Sequence, residues 1–567
     1  MWPKQSRPLS RLALCVYGTI LATSMADADG SYYGLTATSE ILLTSEAGDK
    51  LALRSNISFK PGVSENDNVI RIRPDITKQT LIGIGTSLTE SSAFVLAQLE
   101  PKKRSEVMEN VFGEQGANFS LARSPIGATD FSVEGKYSYA EVEDDRELRH
   151  FSIEPDQDGF STSRYPGIQD ENFDLLPMIK QALAIKQKQS DPSLKIIASA
   201  WTAPPWMKDN KDWYSPGSPE NNYNGGGGAL LPEYESTYAD YLVKYLDAYR
   251  DQGVDIWGIT PVNEPMGNNG QWESMHFTPE SQNNFIKKYL GPKLHGNGYE
   301  DVSLLMLDHS RDHLEQWADE IYNDPDSAKY VDGAAVHWYE STFKVYEDVF
   351  ERVHSKYPQF SIIHTEGTID DLGKDAPEGI LDPERYKESG WFNNDAFWWN
   401  DNATDWAYSA TWAGVKADDH PIYTPVHRYA RNIIVSLNHW VTGWIDWNIV
   451  LDAQGGPNHV GNFCGAPIMV DVDSGYVYYT PIFHILSQLS KTIRPGDHAV
   501  QTEKQLADLD DDAIHASASI SVDNLLSVQV LNTSKQPVEF ALQIGTQYAI
   551  ASIDANALQT IRIQIPE

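Results

Sequence analysis

Leu194-Lys-Ile-Ile-Ala-Ser-Ala200 and Asp255-Ile-Trp-Gly-Ile-Thr260 bracket a stretch in which Tyr238, Tyr241, Leu242, Tyr245 and Tyr249 recur on one 3.6-residue face. Asp240, Lys244 and Asp247 fall on the opposite face, so the stretch reads as an amphipathic helix between two buried strands. Working outward, the same alternation of a short β-prone run with a loop or helical pattern recurs at Leu81 to Gly85, Phe119 to Ser124, Val302 to Asp308, Gly333 to Trp338, Ser361 to Thr365 and Trp440 to Trp447. Eight such units predict an α/β chain with a closed (β/α)8 TIM barrel, whose chemistry sits at the C-terminal ends of the strands.

The flanks follow a different period. Val538, Phe540, Leu542 and Ile544, then Ile561, Ile563 and Ile565, alternate with polar residues as half-buried strands do. Strand-like pieces at Leu51 to Leu53 and Val69 to Ile72 complement them, predicting an accessory antiparallel β-sandwich built from both chain ends. The expected boundaries are 1–26 for a signal peptide, 27–78 and 491–567 for the two parts of the sandwich, and 79–490 for the catalytic barrel. Gly225 to Gly228 lacks a following Lys-Ser/Thr, so it reads as a loop over the barrel mouth rather than a phosphate cradle.

A composition of 41% hydrophobic and 22% charged residues supports a large core and excludes a disordered chain. Lys and Arg number 44 against 80 Asp and Glu, a formal charge of −36 that repels polyanions, so nucleic acid and anionic bilayers are disfavoured partners and no stable membrane insertion is expected. Lys4, Arg7 and Arg11 precede an apolar run from Leu12 to Ala22, followed by Ala26 and Ala28, the form of a secretory signal peptide. Its removal would take Cys15 with it and leave Cys464 as the sole cysteine. A secreted or periplasmic protein without disulfides is therefore expected.

Thr260-Pro-Val-Asn-Glu-Pro265 places Asn263 and Glu264 just past the fourth strand, and Ile362-Ile-His-Thr-Glu366 puts a second glutamate at the end of an otherwise apolar seventh strand. Burying a carboxylate there is costly unless a partner or a function accounts for it. Two carboxylates facing across a barrel mouth suit glycoside hydrolysis, one as acid/base and one as nucleophile or base. Trp201, Trp206, Trp338, Tyr339, Trp444 and Trp447 lie at or past strand ends, where flat rings can stack on sugars.

These motifs resemble glycoside hydrolase family 30, and within it the glucosylceramidases. The resemblance is carried by Gly83 to Ser91, Arg123 to Ser132, Ala198 to Trp206, Thr260 to Pro265, Val336 to Tyr339, Gly443 to Asn448 and Gly455 to Asn462. It implies a retaining β-glucosidase without metal or organic cofactor, with Glu264 as acid/base, Asn263 near the sugar 2-hydroxyl and Glu366 as nucleophile. It further implies that Asp130, Trp201 and Trp447 hold the terminal glucose, with Arg123, His337, Tyr339 and Asn462 around the nucleophile and pocket floor. The resemblance leans to a glycolipid, glucosylceramide, as substrate, whereas the charge leans to a small-molecule or oligosaccharide β-glucoside, soluble β-1,6-linked glucans included.

Two departures leave the aglycone open: the N-terminal cysteines of the animal lysosomal enzymes are absent, and an aromatic-rich stretch, Trp391 to Trp412, follows Glu366. That stretch reads equally as a hydrophobic plug or as a wall of the cleft. Asp308-His-Ser-Arg-Asp-His313 offers two histidines at i and i+4, but no His-Glu-x-x-His accompanies them and no metal role is expected. No Gly-x-Ser-x-Gly elbow is present for acyl transfer. A catalytically inactive carbohydrate-binding barrel is the reading of another class, which both glutamates argue against.

Overall fold

In the computed structural model, eight parallel strands close into a barrel: β1 (Gly83–Ser87), β2 (Leu121–Ile126), β3 (Lys195–Ala200), β4 (Gly258–Thr260), β5 (Ser303–Ser310), β6 (Gly333–His337), β7 (Ser361–Glu366) and β8 (Val441–Asp446). The structure describes residues 31–215, 226–267, 272–369, 393–400, 424–507 and 509–566. The expected signal peptide, Gly225, and Trp391, Trp406 and Trp412 of the aromatic stretch lie outside them. Among the described residues no helix is long and apolar enough to cross a membrane.

The barrel is filled by Leu121, Ile197, Leu305, Ala335, Ile363 and Ile445, one from each of six strands. Side chains two residues apart on a strand share a face. The next inward position after each apolar plug is therefore Arg123, Ser199, His337, Thr365 and Trp447 on five of those strands, and a polar, aromatic layer forms directly above the core. On β5 the alternation is broken: Leu307 and Asp308 have φ of 70° and 61°, and the β5 to β6 register shifts there. This bulge turns Asp308 into the same layer.

Outside the barrel, Glu235–Asp251 forms the expected helix between β3 and β4, with Tyr238, Tyr241, Leu242, Tyr245 and Tyr249 all buried. The Tyr249 hydroxyl donates to Asp156 Oδ2 at 2.7 Å and that of Tyr238 to the Pro261 carbonyl at 2.9 Å, so the stripe meets both apolar and polar needs of the wall it covers.

The accessory domain does come from both chain ends. Glu40–Ser45 pairs antiparallel with Ala557–Gln564, and Val69–Thr80 lies antiparallel to His498–Gln505. Its strands are one continuous ten-stranded sheet rather than two separately bonded layers, and one neighbouring pair, Val69–Thr80 with Val538–Ile544, is parallel. The sheet encloses its own core of Ile41, Leu43, Ile70, Val528, Phe540, Leu542, Ile561 and Ile563, the last four of which the period-two pattern assigns inward.

Candidate active site

Asp308 is the hub of the polar layer. Its Oδ2 accepts from Arg123 Nη2 at 2.9 Å and from the hydroxyls of Ser199 and Thr260 at 2.8 Å each. Its Oδ1 accepts from His337 Nε2 at 2.9 Å and Thr365 Oγ1 at 2.8 Å. Burial opposes its ionisation, but Arg123 and His337 hold the carboxyl far below the ordinary range. Sequence reading ended a strand at Asp308 without giving it a role. The argument that singled out Glu366, a carboxylate closing an apolar strand, applies equally to Leu304-Leu-Met-Leu-Asp308.

From this hub the two glutamates are reached by different cations. Arg123, fully buried, donates through Nη1 to Glu366 Oε2 and through Nη2 to Asn263 Oδ1 at 2.6 Å. His337 places Nδ1 3.2 Å from Glu264 Oε1 while its Nε2 faces Asp308. With a carboxylate at each nitrogen the ring carries both protons. Although burial works against it, the charge of Glu366 and the bonds to Asp308 and Glu264 push His337 up to about 9.

Burial also opposes ionisation of Glu264, yet the His337 hydrogen bond and the charges of His309, His337 and Arg123 outweigh it and lower its pKa. For Glu366 burial wins, reinforced by the charges of Glu264 and Asp308, against the pull of His337 and Arg123, and its pKa rises. Glu264 adopts a left-handed φ of 45° and donates its backbone N–H to the Asp308 carbonyl at 2.9 Å. For a non-glycine residue this backbone costs energy that the surrounding contacts must hold in place.

The sugar-stacking candidates divide. Trp201 and Trp447 stack with centroids 5.2 Å apart, and the Arg123 guanidinium lies 4.9 Å from one ring and 5.8 Å from the other. Tyr339 stands edge-on to His337 at 6.1 Å. Asp130 accepts from Asn458 and Asn462 at 3.2 and 3.1 Å, and burial raises its pKa to about 7, against the Asn462 hydrogen bond. Phe131, next to it, meets the Trp447 ring edge-on at 5.8 Å. The ten residues to which the resemblance gives a role thus gather at one mouth.

Trp338 and Trp444 do not join them. Both are fully buried and pack on His364 and on each other, because they occupy outward positions on the strands and face the helical layer. Trp206 is likewise buried, its indole N–H donating to the Ala140 carbonyl. Within 393–400, Trp398 and Trp399 are buried, and Trp398 abuts Gly465.

The histidine pair read from the sequence stays adjacent, its rings stacked with centroids 6.2 Å apart, but the two rings face different carboxylates. His313 Nε2 lies 3.6 Å from Asp312, whereas His309 joins Glu264 and His337 to put one carboxylate oxygen and two ring nitrogens within 4.8 Å of one another. This trio could hold a metal ion.

Known proteins share the barrel. A family model described as the glycosyl hydrolase family 30 TIM-barrel domain matches residues 81–382 and 409–493. Mouse lysosomal acid glucosylceramidase is 30% identical over 84% of this chain and 79% of its own. An Aspergillus fumigatus endo-1,6-β-D-glucanase, neg1, is 24% identical over 80% and 79%. Among solved structures, SrfJ of Salmonella typhimurium superposes with a TM-score of 0.72 at 23% identity, covering 93% of this chain and all but 1% of that one. The endo-β1,6-glucanase BT3312 gives 0.69 at 22%, covering 94% and 99%. With a catalytic barrel matched over most of its length and two opposed glutamates at its mouth, the chain belongs to glycosyl hydrolase family 30.

Proposed function

We propose that the protein is a retaining β-D-glucosidase acting by double displacement, with Glu366 as nucleophile and Glu264 as acid/base. The observation that carries this reading is the pair of glutamates tied through Arg123 and His337 to a single buried Asp308. Arg123 holds one Glu366 oxygen, which leaves the other to attack the anomeric carbon. The His337 Nδ1 proton lies on a hydrogen bond to Glu264 Oε1. A departing glycosidic oxygen seated on Glu264 draws that proton across, and Glu264 then deprotonates the water that cleaves the glucosyl ester. Asn263, fixed by Arg123, is placed to meet the sugar 2-hydroxyl, while Asp130, Trp201 and Trp447 grip the terminal glucose. Tyr339 and Asn462 complete the pocket floor, and the enzyme works after export, secreted or periplasmic.

For the aglycone we favour soluble β-glucosides and β-1,6-linked gluco-oligosaccharides over membrane-bound glucosylceramide. The formal charge of −36 penalises approach to anionic bilayers, and the Aspergillus relative is named for such a glucan. The lipid reading draws on the mouse relative.

Proton NMR of the first-formed sugar is expected to show the β-anomer, and an α-anomer would refute retention. Glu264→Ala should cripple alkyl glucosides, spare glycosylation by a dinitrophenyl glucoside, and yield β-glucosyl azide when azide is added. Glu366→Ala should yield none, and the reverse pattern swaps the roles. Turnover of glucosylceramide in anionic vesicles faster than every soluble glucan tested restores the lipid reading. Inertness toward all β-glucosides leaves a binding protein.

A further inference from the structure

We infer that the mouth of this barrel also binds a borderline-soft divalent cation, of which Zn2+ is the type, through Glu264, His309 and His337, and that the bound ion blocks the acid/base. This inference concerns a ligand set and stands whether or not the bond cleaved is glucosidic.

The first observation is spacing. Zn2+ held tetrahedrally at about 2.0–2.1 Å separates neighbouring ligand atoms by about 3.3 Å. Glu264 Oε1 lies 3.2 Å from His337 Nδ1 and 3.8 Å from His309 Nδ1, and all three atoms fall within 4.8 Å of one another. Small side-chain rotations bring them to a common ion. Two imidazoles and one carboxylate are a set that zinc accepts, with the fourth position left to water.

A second observation is orientation. His337 gives its Nε2–H to Asp308, the arrangement in which a carboxylate behind a histidine fixes the tautomer and aims the other nitrogen at a metal. Asp308 is in turn held by Arg123, Ser199, Thr260 and Thr365, so this outer shell is already assembled. His309 supplies the second nitrogen: its Nδ1 is buried and makes no hydrogen bond. A buried ring nitrogen without a partner is costly, and a metal would satisfy it.

Charge points the same way. Glu264, Asp308 and Glu366 face two cations, Arg123 and protonated His337; a dication that takes the place of the His337 Nδ1 proton leaves Arg123 opposite three carboxylates, and its own two charges balance the remainder. An ion bound there occupies the Glu264 oxygen and displaces the Nδ1 proton of His337, removing both the lone pair and the proton that leaving-group protonation uses.

The test uses the full chain and Zn2+ alone. Equilibrium dialysis is expected to retain one Zn2+ per chain, with affinity falling at least about tenfold in His309→Ala and in Glu264→Gln, and unchanged in His313→Ala. Thermal melting verifies that each variant is folded. Co2+ in the unaltered chain reads the ligand set with no substitution: the intense visible bands of a four-coordinate site are expected. Absence of stoichiometric Zn2+, a six-coordinate Co2+ spectrum, or affinity untouched by both ligand variants would overturn the site. Stoichiometric Zn2+ in a chain that, once stripped of the ion, still cleaves no β-glucoside would sink the hydrolase reading and leave the metal site standing. Cleavage that proceeds with no Zn2+ bound to the chain at any concentration tested does the opposite.

Discussion

Asp308 and a second set of buried carboxylates in this chain titrate in opposite directions. At the barrel mouth Asp308 is fully buried yet held far below the ordinary range, because Arg123 and His337 supply positive charge at hydrogen-bond distance. Behind the loops that follow β1 and β2, Glu90, Asp156 and Asp174 are also buried, but their partners are neutral. Asp156 accepts from the hydroxyls of Tyr137, Tyr139 and Tyr249, and Asp174 from the backbone N–H groups of Gly159 and Leu175. Burial therefore dominates, lifting Asp156 to about 6, Asp174 to about 7 and Glu90 well above its usual range. Hydrogen bonding alone does not keep a buried carboxylate charged in this fold. Asp308 stays charged because two cations bond to it; Glu366, with Arg123 alone at hydrogen-bond distance, is still raised by burial.

The sharpest way to break the contrast is to take the cation out. Arg123→Met would leave Asp308 and Glu366 buried against each other with only His337 to offset them. We expect activity to fall about 10²–10³-fold or more. Stability should also drop by about 3–5 kcal/mol, the usual consequence of removing one partner of a buried ion pair. Steady-state kinetics and chemical denaturation measure the two effects, and a variant with native stability would show that the mouth does not depend on this charge.

The second group gives the next largest effect, through pH. Asp156 and Asp174 bind protons more tightly folded than unfolded, where both return to about 3.8. Their contribution is fully present below about pH 4 and is lost as pH rises through about 6 and 7. The fold should thus lose a few kcal/mol between pH 4 and 7.5 from this group alone. Asp174→Asn, which keeps an oxygen to cap the helix Leu175–Lys186, should flatten the slope whatever it does to absolute stability. Urea melts across the range read it, and an unchanged slope would place the proton elsewhere.

How much of this was legible in the sequence depends on whether a residue's role is set by its own strand. All eight barrel strands could be found because each is a short apolar run, and Glu366 stood out as a charge ending one of them. The alternation along β2 also places Arg123 two residues above Leu121, on the inner face. Asp308 closes an equally apolar run and carries the same signal, but its inward direction follows from a bulge with two left-handed residues, which no alternation predicts. Trp338 and Trp444 misled in the other direction: as strand-end aromatics they look like sugar platforms, yet strand parity sends them outward against His364. The single curled sheet was equally hidden, since period-two patterning identifies inward faces and says nothing of which edges pair.

The smallest expected effect lies where the two kinds of carboxylate meet. Asp130 is buried and raised to about 7 like the second group, yet it borders Glu366 and the sugar pocket like the first. The positive charge that acts on it is His459, whose Nε2 lies 3.3 Å from Glu273 Oε1, whose Nδ1 faces the Ser132 carbonyl at 3.1 Å, and whose backbone N–H donates to the Asp130 carbonyl. Burial opposes protonation of His459, but Glu273 and Asp130 outweigh it and raise its pKa. The ring therefore pins the loop after β8, which carries Asn458 and Asn462, to the segment after β4, and through it sets the donors that Asp130 receives. His459→Gln keeps a side chain of similar reach and removes the charge, at the cost of about one hydrogen bond, 0.5–1.5 kcal/mol. That converts to a rise of about two- to twelvefold in KM for a β-glucoside with kcat nearly unchanged, since in the proposed function Asp130 grips the glucose without touching the bond that breaks. A fall in kcat with KM unchanged would move Asp130 and its neighbours from substrate binding into the chemical step.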